Sequence, residues 1–578
     1  MTEETDQSAR LAEQWTAALQ QLTEAAQAAV RSAPALATSR PYDPLALFQT
    51  MAEFAANFRP EQFLQVQLDA AREWTGFWAD ALTPRAPSDA RPRDRRFSHP
   101  GWEEQPYFRA LRDAYLLASK QLRESVKAAG GDGSKAAMMN FLADQYLNAV
   151  APTNFAMTNP EVVQRTVETG GANLAAGFAN LLEDVAAGKG IVRRRTESDF
   201  VVGETLAATP GAVVFQNELF QLIQYDPATD EVAAEPLLYV PPLVNKYYMI
   251  DLQPRSSLVK WLVDQGRTVF VISWVNPDER HREMGVEQYV LDGIVEAIGA
   301  ARKAAKADKV DLFSFCLGGT LVAITLAWLA AKGRGEEVNS ATLIGSMVDF
   351  ADMRDWSAFV HEAHLDALED HLAKRGFIDS TELQQLFAAV RSNDLIWSSV
   401  VNHYLLDRPA PASDLLHGFE DGARIPEAFL KSYNRGLLSR NALKAKTGFE
   451  VGGVAIDLAA VKTPTTVIAL KDDHVSAWEA VYDGTKLFGG PVNFVLGGSG
   501  HNAGVINPPA ANRHGYWTGD ARPDSAQDWL EGATRHDGSW WPHWTAWLDA
   551  HGSGKVKARK PKNAIEPAPG SYVRIVHD

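Results

Sequence analysis

The stretch VDLFSFCLGGTLVAITLAWLAAKG, residues 310–333, decides the fold. Its first six residues are mostly apolar, which is typical of a short strand buried on both faces. Cys316 follows this predicted strand, and Leu317 and two glycines lead into a long apolar segment with helical character. A strand that turns sharply into a helix at a nucleophilic residue has the layout of a nucleophile elbow.

The residue types in this turn suit a catalytic thiol. The following helix would point its positive N-terminus at Cys316, which favours negative charge on the sulfur. The backbone N–H of Leu317 would be placed to donate to an oxyanion. The alternative is a buried structural Cys, since free Cys is among the most buried residue types. Ser314 stands where an elbow usually has Gly, so the turn must hold an extra hydroxymethyl group.

An elbow needs an orienting acid and a general base, which follow the nucleophile in the chain in that order. Asp473 comes soon after a predicted strand at 466–470, and His501 follows a Gly-rich turn after a predicted strand at 493–496. Each lies just past the carboxyl end of its strand, where open α/β sheets place their sites. We therefore predict a catalytic triad of Cys316, Asp473 and His501.

Two neighbouring residues compete for these roles. Asp472 adjoins Asp473, and His474 is an alternative to His501. Because His474 directly follows Asp473, it cannot easily bond to that carboxylate. His501 lies among glycines and has the freer approach, so it is the preferred base.

Short strands and helices alternate on both sides of the elbow. The predicted strands lie at 237–240, 268–273, 310–315, 341–344, 466–470 and 493–496. Helices are predicted between them, among others at 256–265 and 320–332. This alternation predicts an α/β layer built on a mostly parallel sheet.

The sequence before residue 190 and the segment near 350 have different patterns. The first third is rich in helix formers, with a strong helix at 107–129 and a Pro- and Arg-rich linker at 83–96. Residues from about 350 to 455 interrupt the α/β alternation. We therefore predict a helical N-terminal domain at 1–195 and an α/β catalytic domain at 196–578, with the insertion capping the carboxyl ends of the strands.

Composition excludes several classes of protein. The chain has 578 residues, a net charge of −16 and one Cys. Such acidity is unfavourable for general nucleic-acid binding, and one Cys forms neither an intramolecular disulfide nor a multi-thiolate metal site. We find no apolar run of the roughly 18 residues that a membrane span needs. The polar, acidic start MTEETDQSAR is unlike a secretory signal, so we expect a cytoplasmic protein.

Two other clusters have plainer interpretations. His361, His364 and His371, with Glu362, lie on a predicted helix. Their spacing is not that of the His-Glu-x-x-His zinc pair, so no metal site is predicted. Four tryptophans between residues 540 and 547 could stack on bases. The negative net charge favours core and interface packing for them instead.

Eight strings of the sequence resemble the polyhydroxyalkanoate synthases, especially the single-subunit type called class I. They are DRRFSHPGWEEQPYF (94–108), APTNFAMTNPE (151–161), TPGAVVFQNELFQLIQY (209–225), PPLVNKYYMIDLQP (241–254), FCLGGT (315–320), NDLIW (393–397), GHNAGVINPP (500–509) and HDGSWWPHW (536–544). The resemblance extends from about residue 94 to 574. Departures are Ser314 for Gly, VSAW at 475–478 for Ile-Val-Pro-Trp, and Phe429 near a family dimer-contact Trp.

The resemblance implies an α/β-hydrolase catalytic domain under a mobile helical cap, preceded by an all-α domain. It implies polymerisation of (R)-3-hydroxyacyl-CoA into a polyester with release of CoA. Short-chain substrates such as 3-hydroxybutyryl-CoA are implied. The family's catalytic residues fall on Cys316, Asp473 and His501, and a second oxyanion donor falls near Val244. The CoA thioester is the substrate, and no cofactor or metal is implied. A homodimer at the surface of cytoplasmic polyester granules, bound to the growing chain, is also implied.

A Cys nucleophile fits this chemistry, because acyl transfer from CoA to Cys exchanges one thioester for another. A Ser would hold the acyl group as a more stable ester. The alternatives are an intracellular polyester depolymerase or an acyl-CoA thioesterase on the same fold, and a granule-surface protein without activity. The identity of the acceptor, hydroxyl or water, distinguishes polymerase from hydrolase.

Overall fold

The computed structural model describes residues 60–81, 94–129, 133–186, 200–409, 413–445 and 448–577. The helices predicted before residue 60 and most of the predicted linker lie outside these ranges. The chain forms two compact units. The first is drawn from Met1–Glu197, Ser357–His361 and Gln384–Ala412, and the second from Ser198–Trp356, Glu362–Leu383 and Ser413–Asp578. The predicted domain boundary also falls outside the described ranges, so the domain division stays a prediction.

The described part of the first unit is helical, as its composition predicts. Its α-helices are α1 (Pro60–Ala81), α2 (Gly101–Glu104), α3 (Pro106–Ala129), α4 (Gly133–Ala149), α5 (Pro160–Glu168) and α6 (Ala172–Ala186), and its π-helices are Asn393–Trp397 and Val400–Leu405. Asn159 begins α5 by accepting hydrogen bonds from the N–H groups of Glu161 and Val162, with Pro160 at the first helical position. Local capping therefore sets where this helix starts.

Two of the quoted strings meet inside the first unit. Arg96 donates to Asn393 Oδ1 at 3.1 Å, and Asn393 Nδ2 donates to Asn148 Oδ1 at 2.7 Å. Asn148 in turn donates to Ser392 Oγ at 3.0 Å. The DRRFSHP and NDLIW strings therefore serve a common structural purpose, which is to fasten the 384–412 segment to the N-terminal helices.

The second unit is built on an eleven-stranded mixed sheet with the order β15-β14-β13-β12-β7-β6-β4-β5-β2-β1-β17. In the described ranges the strands are β1 (Gly211–Gln216), β2 (Phe220–Tyr225), β3 (Glu231–Ala233), β4 (Leu237–Val240), β5 (Val269–Trp274), β6 (Val310–Phe315), β7 (Val338–Ile344), β8 (Phe377–Ile378), β9 (Ile425–Pro426), β10 (Glu450–Val451), β11 (Val454–Ala455), β12 (Thr465–Leu470), β13 (Val492–Gly497), β14 (Tyr516–Thr518), β15 (Thr534–His536), β16 (Lys555–Lys557) and β17 (Glu566–Pro567). The six predicted strands are confirmed as β4, β5, β6, β7, β12 and β13.

These six strands run parallel and form the centre of the sheet, whereas the outer strands are antiparallel. The prediction of a mostly parallel α/β layer is confirmed for the centre of the sheet. The antiparallel strands at its two edges were not predicted. Because the carboxyl ends of parallel strands lie along one edge, the residues that follow β6, β12 and β13 come together there.

Helices and a large apolar core complete the second unit. Its further α-helices are α7 (Leu258–Asp264), α8 (Val286–Gln288), α9 (Glu296–Ala305), α10 (Leu317–Ala331), α11 (Glu362–Arg375), α12 (Ser380–Val390, whose last turns belong to the first unit), α13 (Asp414–Glu420), α14 (Glu427–Lys431), α15 (Ala442–Ala445), α16 (Trp478–Gly484), α17 (His501–Val505), α18 (Ala526–Gly532) and α19 (Trp541–His551), and π-helices span Tyr289–Val295 and Ser432–Leu438. Helix α10 is buried on nearly every side, which explains its continuous apolar sequence. Among the described residues, no helix is both long and apolar enough to cross a bilayer.

Candidate active site

Cys316 occupies the turn between β6 and α10 in a backbone conformation that few residues adopt. Its φ is 51° and its ψ is −127°, although it is not a glycine. Such a conformation costs about 1–3 kcal/mol and persists only where the surrounding structure enforces it. The Cys316 N–H donates to the Ile344 carbonyl at 2.9 Å, and the Cys316 carbonyl accepts from Gly319 N–H at 2.9 Å. The structure therefore holds the thiol in an elbow at the N-terminus of α10.

Two glycines allow the elbow to close. A Cβ on Gly318 would lie 2.4 Å from the Val240 carbonyl oxygen. A Cβ on Gly319 would lie 2.0 Å from Ser346 Oγ and 2.5 Å from Ser346 Cβ. Both distances are far inside van der Waals contact, so the turn packs against the neighbouring strand ends only because these side chains are absent.

Ser314 fits where a glycine is usual because its hydroxyl is satisfied. It is fully buried and donates to the Thr342 carbonyl at 3.0 Å. Its Oγ would lie 3.2 Å from a Cβ on Gly319, so the missing side chain of that glycine leaves the room that the hydroxymethyl group uses. The departure from Gly therefore leaves the elbow intact.

Gly319→Ala is expected to destabilise the protein by about 1–3 kcal/mol, because overpacking forces neighbouring atoms to move. The matched control is Gly299→Ala on helix α9, where an added Cβ meets nothing within 4 Å. That control should gain up to about 1 kcal/mol from helix propensity. Urea denaturation of the three proteins checks both signs. Equal stability of Gly319→Ala and wild type would contradict the packing argument.

Asp473 is fixed in the loop that follows β12. Its Oδ1 accepts hydrogen bonds from the N–H groups of Val475 at 2.7 Å and Ser476 at 2.9 Å. Its Oδ2 lies 2.6 Å from His501 Nδ1, and both side chains are buried. An ionised carboxylate only accepts hydrogen bonds, so Nδ1 donates and Nε2 is left for the thiol side.

The His501 ring is enclosed on several sides. It lies against the Phe315 ring, with 4.6 Å between the ring centroids. Gly345 has a φ of +54°, and a Cβ there would lie 3.3 Å from His501 Cε1 and 3.4 Å from Asp473 Oδ2. Backbone, aromatic ring and carboxylate together leave the imidazole little freedom to rotate.

The charge balance of the site favours a protonated His501. Burial on its own would lower the pKa of His501. The negative charge of Asp473 and its hydrogen bond to the ring, together with the nearby Cys316 side chain, outweigh burial and raise this pKa from 6.5 to about 10. The Cys316 side chain is therefore near enough to the imidazole to affect its pKa.

This raised pKa gives stability a definite pH dependence. The folded protein binds the His501 proton more tightly than the unfolded chain, so the stabilisation is fully present below pH 6.5 and is lost as pH rises through about 10. The unfolding free energy of wild type minus that of His501→Gln should therefore shrink between neutral pH and about 10. Denaturant unfolding of both proteins across this range measures it. A difference that grows with pH would contradict the assigned charge state.

Of the two predicted oxyanion donors, Leu317 lies in the elbow and Val244 lies in a loop that begins beside it. Leu317 is the first residue of α10, so its N–H has no acceptor within the helix. The PPLVN loop begins beside the turn, since a Cβ on Gly318 would lie 2.9 Å from the Pro241 carbonyl oxygen. Val244 in this loop is anchored by its carbonyl, which accepts from Ala423 N–H at 3.0 Å. The position of Val244 N–H as an oxyanion donor stays a prediction.

The competing residues are placed differently. Asp472 is exposed, whereas Asp473 is buried against His501. Phe429, which aligned loosely with a family dimer-contact Trp, is fully buried in this unit and stacks on Tyr433 with ring centroids 5.7 Å apart. Its side chain is therefore covered by other residues of this chain.

Comparison with known proteins gives the chain its family. The model described as "Poly-beta-hydroxybutyrate polymerase (PhaC) N-terminus" matches residues 93–262, and "alpha/beta hydrolase fold" matches residues 236–508. The poly(3-hydroxyalkanoate) polymerase of Methylorubrum extorquens is 41% identical over 530 residues, which cover 89% of this chain and 87% of the relative. The chain belongs to the poly(3-hydroxyalkanoate) polymerase family. Polymerase subunit PhaC of Cupriavidus necator is similar at 40% identity over 527 residues, covering 89% of each chain.

Membership of the poly(3-hydroxyalkanoate) polymerase family confirms three predictions. The family resemblance is confirmed by the relatives, and the α/β-hydrolase fold is confirmed by the matched fold model. The chain is also an enzyme of the acyltransferase class, as its relatives are.

Two tyrosines near the thiol were missed by sequence analysis. Burial and then the charge of Cys316 raise the pKa of both Tyr239 and Tyr433. Tyr433 also shares a hydrogen bond with Thr320, and it lies on the π-helix Ser432–Leu438. No local motif marks either residue, because β4 and the inserted segment bring them to the elbow from far along the chain.

Proposed function

We propose that this member of the poly(3-hydroxyalkanoate) polymerase family polymerises (R)-3-hydroxyacyl-CoA, with short-chain substrates such as 3-hydroxybutyryl-CoA, and releases CoA. Cys316 is the nucleophile, His501 the general base and Asp473 its orienting acid. The observation that carries the proposal is the buried pair of His501 and Asp473, whose Nδ1 and Oδ2 lie 2.6 Å apart, with the Cys316 side chain near enough to raise the pKa of the imidazole. The names of the relatives support the polymer product.

The first step transfers the acyl group to the enzyme. The Cys316 sulfur attacks the thioester carbonyl, a new sulfur–carbon bond forms, and the bond from that carbon to the CoA sulfur breaks. The proton that the thiol gives up is held on His501, whose raised pKa favours the protonated ring, and it passes from there to the CoA sulfur, which leaves as CoA thiol. A positioned base contributes about 10²–10⁴-fold to such a step.

The second step extends the polyester. The 3-hydroxyl of an acyl group attacks the carbonyl held on Cys316, and an ester bond replaces the thioester bond. His501 takes the hydroxyl proton and returns a proton to the departing sulfur, so the enzyme is regenerated. Asp473 keeps Nδ1 as the donor throughout, which directs Nε2 at the reacting atoms.

Both steps pass through a tetrahedral oxyanion. We assign its stabilisation to the N–H of Leu317, at the positive end of α10, and to the N–H of Val244 in the PPLVN loop. Pro241 and Pro242 have no N–H, so the loop has no donor before Leu243. One such donor is worth about 2.7–4 kcal/mol of transition-state stabilisation.

Exclusion of water favours a polymerase over a hydrolase. His501 is 6% exposed and Asp473 is 3% exposed, so bulk water has little access to the base. Tyr433, from the inserted segment at about 350–455, lies close enough to Cys316 for the sulfur's charge to affect it. We assign that segment as a cap, because a shielded acyl-enzyme reacts with a hydroxyl acceptor and not with water.

We further propose a homodimer acting at the surface of cytoplasmic granules.

The test is to supply the purified protein with 3-hydroxybutyryl-CoA and longer 3-hydroxyacyl-CoA substrates. We expect insoluble polyester to appear together with free CoA, fastest with the short substrate. Free 3-hydroxybutyrate without polymer would instead favour a thioesterase. Breakdown of added polyester without CoA-dependent synthesis would favour a depolymerase.

A further inference from the structure

Two adjacent tryptophans donate hydrogen bonds to the helix that begins with His501. Trp540 Nε1 donates to the Gly504 carbonyl at 2.9 Å, and Trp541 Nε1 donates to the Val505 carbonyl at 3.0 Å. Both indoles are fully buried. Consecutive side chains on one element therefore bind consecutive carbonyls of another.

Helix α17, which accepts these two hydrogen bonds, is too short to be stable on its own. Helix α17 has five residues, and its backbone makes few internal hydrogen bonds, among them Gly504 N–H to the Gly500 carbonyl at 2.7 Å. Short isolated helices are unstable in water, and the last carbonyls of any helix lack hydrogen-bond donors within the helix. The two indole N–H groups donate to the carbonyls at this end of α17, and the Val505 carbonyl also accepts from Asn507 N–H at 3.0 Å.

Two glycines show how closely the region around α17 is packed. A Cβ on Gly504 would lie 2.6 Å from Leu470 Cδ2, and a Cβ on Gly497 would lie 3.3 Å from Trp540 Cδ1. Leu470 is the last residue of β12, immediately before the loop that carries Asp473. The C-terminal end of α17 therefore packs against the end of β12, which leads into the loop that carries Asp473. The first residue of α17, His501, binds Asp473 through its imidazole.

We propose that Trp540 and Trp541 are positioning residues that set the place of the His501 imidazole between Asp473 and Cys316; this rests on the proposed function of His501. They act through the backbone of α17, which spans only about 6 Å from His501 to Val505 at 1.5 Å per residue. A displacement of about 1 Å in a catalytic group can reduce a rate about 10²-fold.

The experiment compares Trp540→Phe and Trp541→Phe with Trp544→Phe. Trp544 is a matched control, since it is equally buried but donates to Thr342 Oγ1 instead of to α17. With 3-hydroxybutyryl-CoA as substrate, kcat for CoA release should fall about 10- to 100-fold in the first two variants, with KM changed less than about twofold. Trp544→Phe should keep kcat near that of wild type.

A second readout does not depend on activity. The Nδ1 proton of His501, in its short bond to Asp473, should give a far-downfield proton NMR signal that is absent in His501→Gln. We expect Trp540→Phe and Trp541→Phe to shift or broaden this signal and Trp544→Phe to preserve it. If Phe variants do not fold, benzothienylalanine at 540 or 541 removes the N–H and keeps the ring shape.

The outcomes separate the two proposals. An unchanged kcat and an unchanged signal in both Trp540 and Trp541 variants would overturn the positioning role, as would equal losses in Trp544→Phe. If His501→Gln keeps its activity, the proposed function of His501 fails, whereas the NMR comparison still decides whether the indoles position the ring.

Discussion

Cys316→Ala is expected to lower the rate of CoA release from 3-hydroxybutyryl-CoA by at least about 10³-fold. Without the sulfur no acyl-enzyme forms, and the remaining side chains cannot replace a covalent intermediate. Polymer should be undetectable. The measurement is a thiol assay for CoA together with the mass of insoluble polyester.

Loss of activity in this variant must be separated from loss of folding. Cys316→Ser is the matched variant, since it keeps a nucleophilic atom in the same turn, where φ is 51°. We expect slow acylation followed by accumulation of a stable ester, with little turnover. Both variants should unfold at denaturant concentrations near that of wild type. Sustained CoA release and polymer synthesis by Cys316→Ala would contradict the assigned nucleophile.

His501→Gln is expected to lower kcat by about 10²–10⁴-fold, because proton transfer to and from the sulfur and the hydroxyl loses its base. Gln keeps a polar group near Asp473 but does not take up a proton at neutral pH. Initial rates of CoA release over a range of substrate concentrations measure the effect on kcat and KM separately.

His474→Gln is the control for this substitution, because His474 follows Asp473 directly and competes with His501 as a base in the sequence. It should keep most of the wild-type kcat. Asp473→Asn and Asp472→Asn form a parallel pair, in which only Asp473→Asn should be strongly impaired. A large loss in His474→Gln, with activity retained in His501→Gln, would reverse the assignment.

The centre of the fold could be predicted because its signals are local. A buried parallel strand shows as a short apolar run, so β4 and β6 have the predicted bounds and the other four predicted strands differ only at their ends. The antiparallel strand β2 was missed because it carries Gln221 and Gln224. Both are buried, and their amides bond to groups more than 330 residues later in the chain, which no local pattern reveals.

The same limit applies to the candidate site. Cys316, Asp473 and His501 each follow a strand that the sequence predicts, so their order and meeting place could be inferred. The support of His501 by Trp540 could not be inferred, because tryptophans in an apolar helix are typical of any core. Tyr433 was missed for a related reason: the sequence predicts that the insertion caps the carboxyl ends of the strands, but no local pattern shows which of its side chains reaches Cys316.

The most direct test of the central claim is mass spectrometry of the wild-type enzyme, quenched in acid soon after mixing with 3-hydroxybutyryl-CoA and digested. The account predicts hydroxybutyryl or oligomeric adducts on the peptide that contains Cys316, labile to hydroxylamine as thioesters are. Polymer formation with this peptide unmodified, and with the acyl group on another residue, would contradict it.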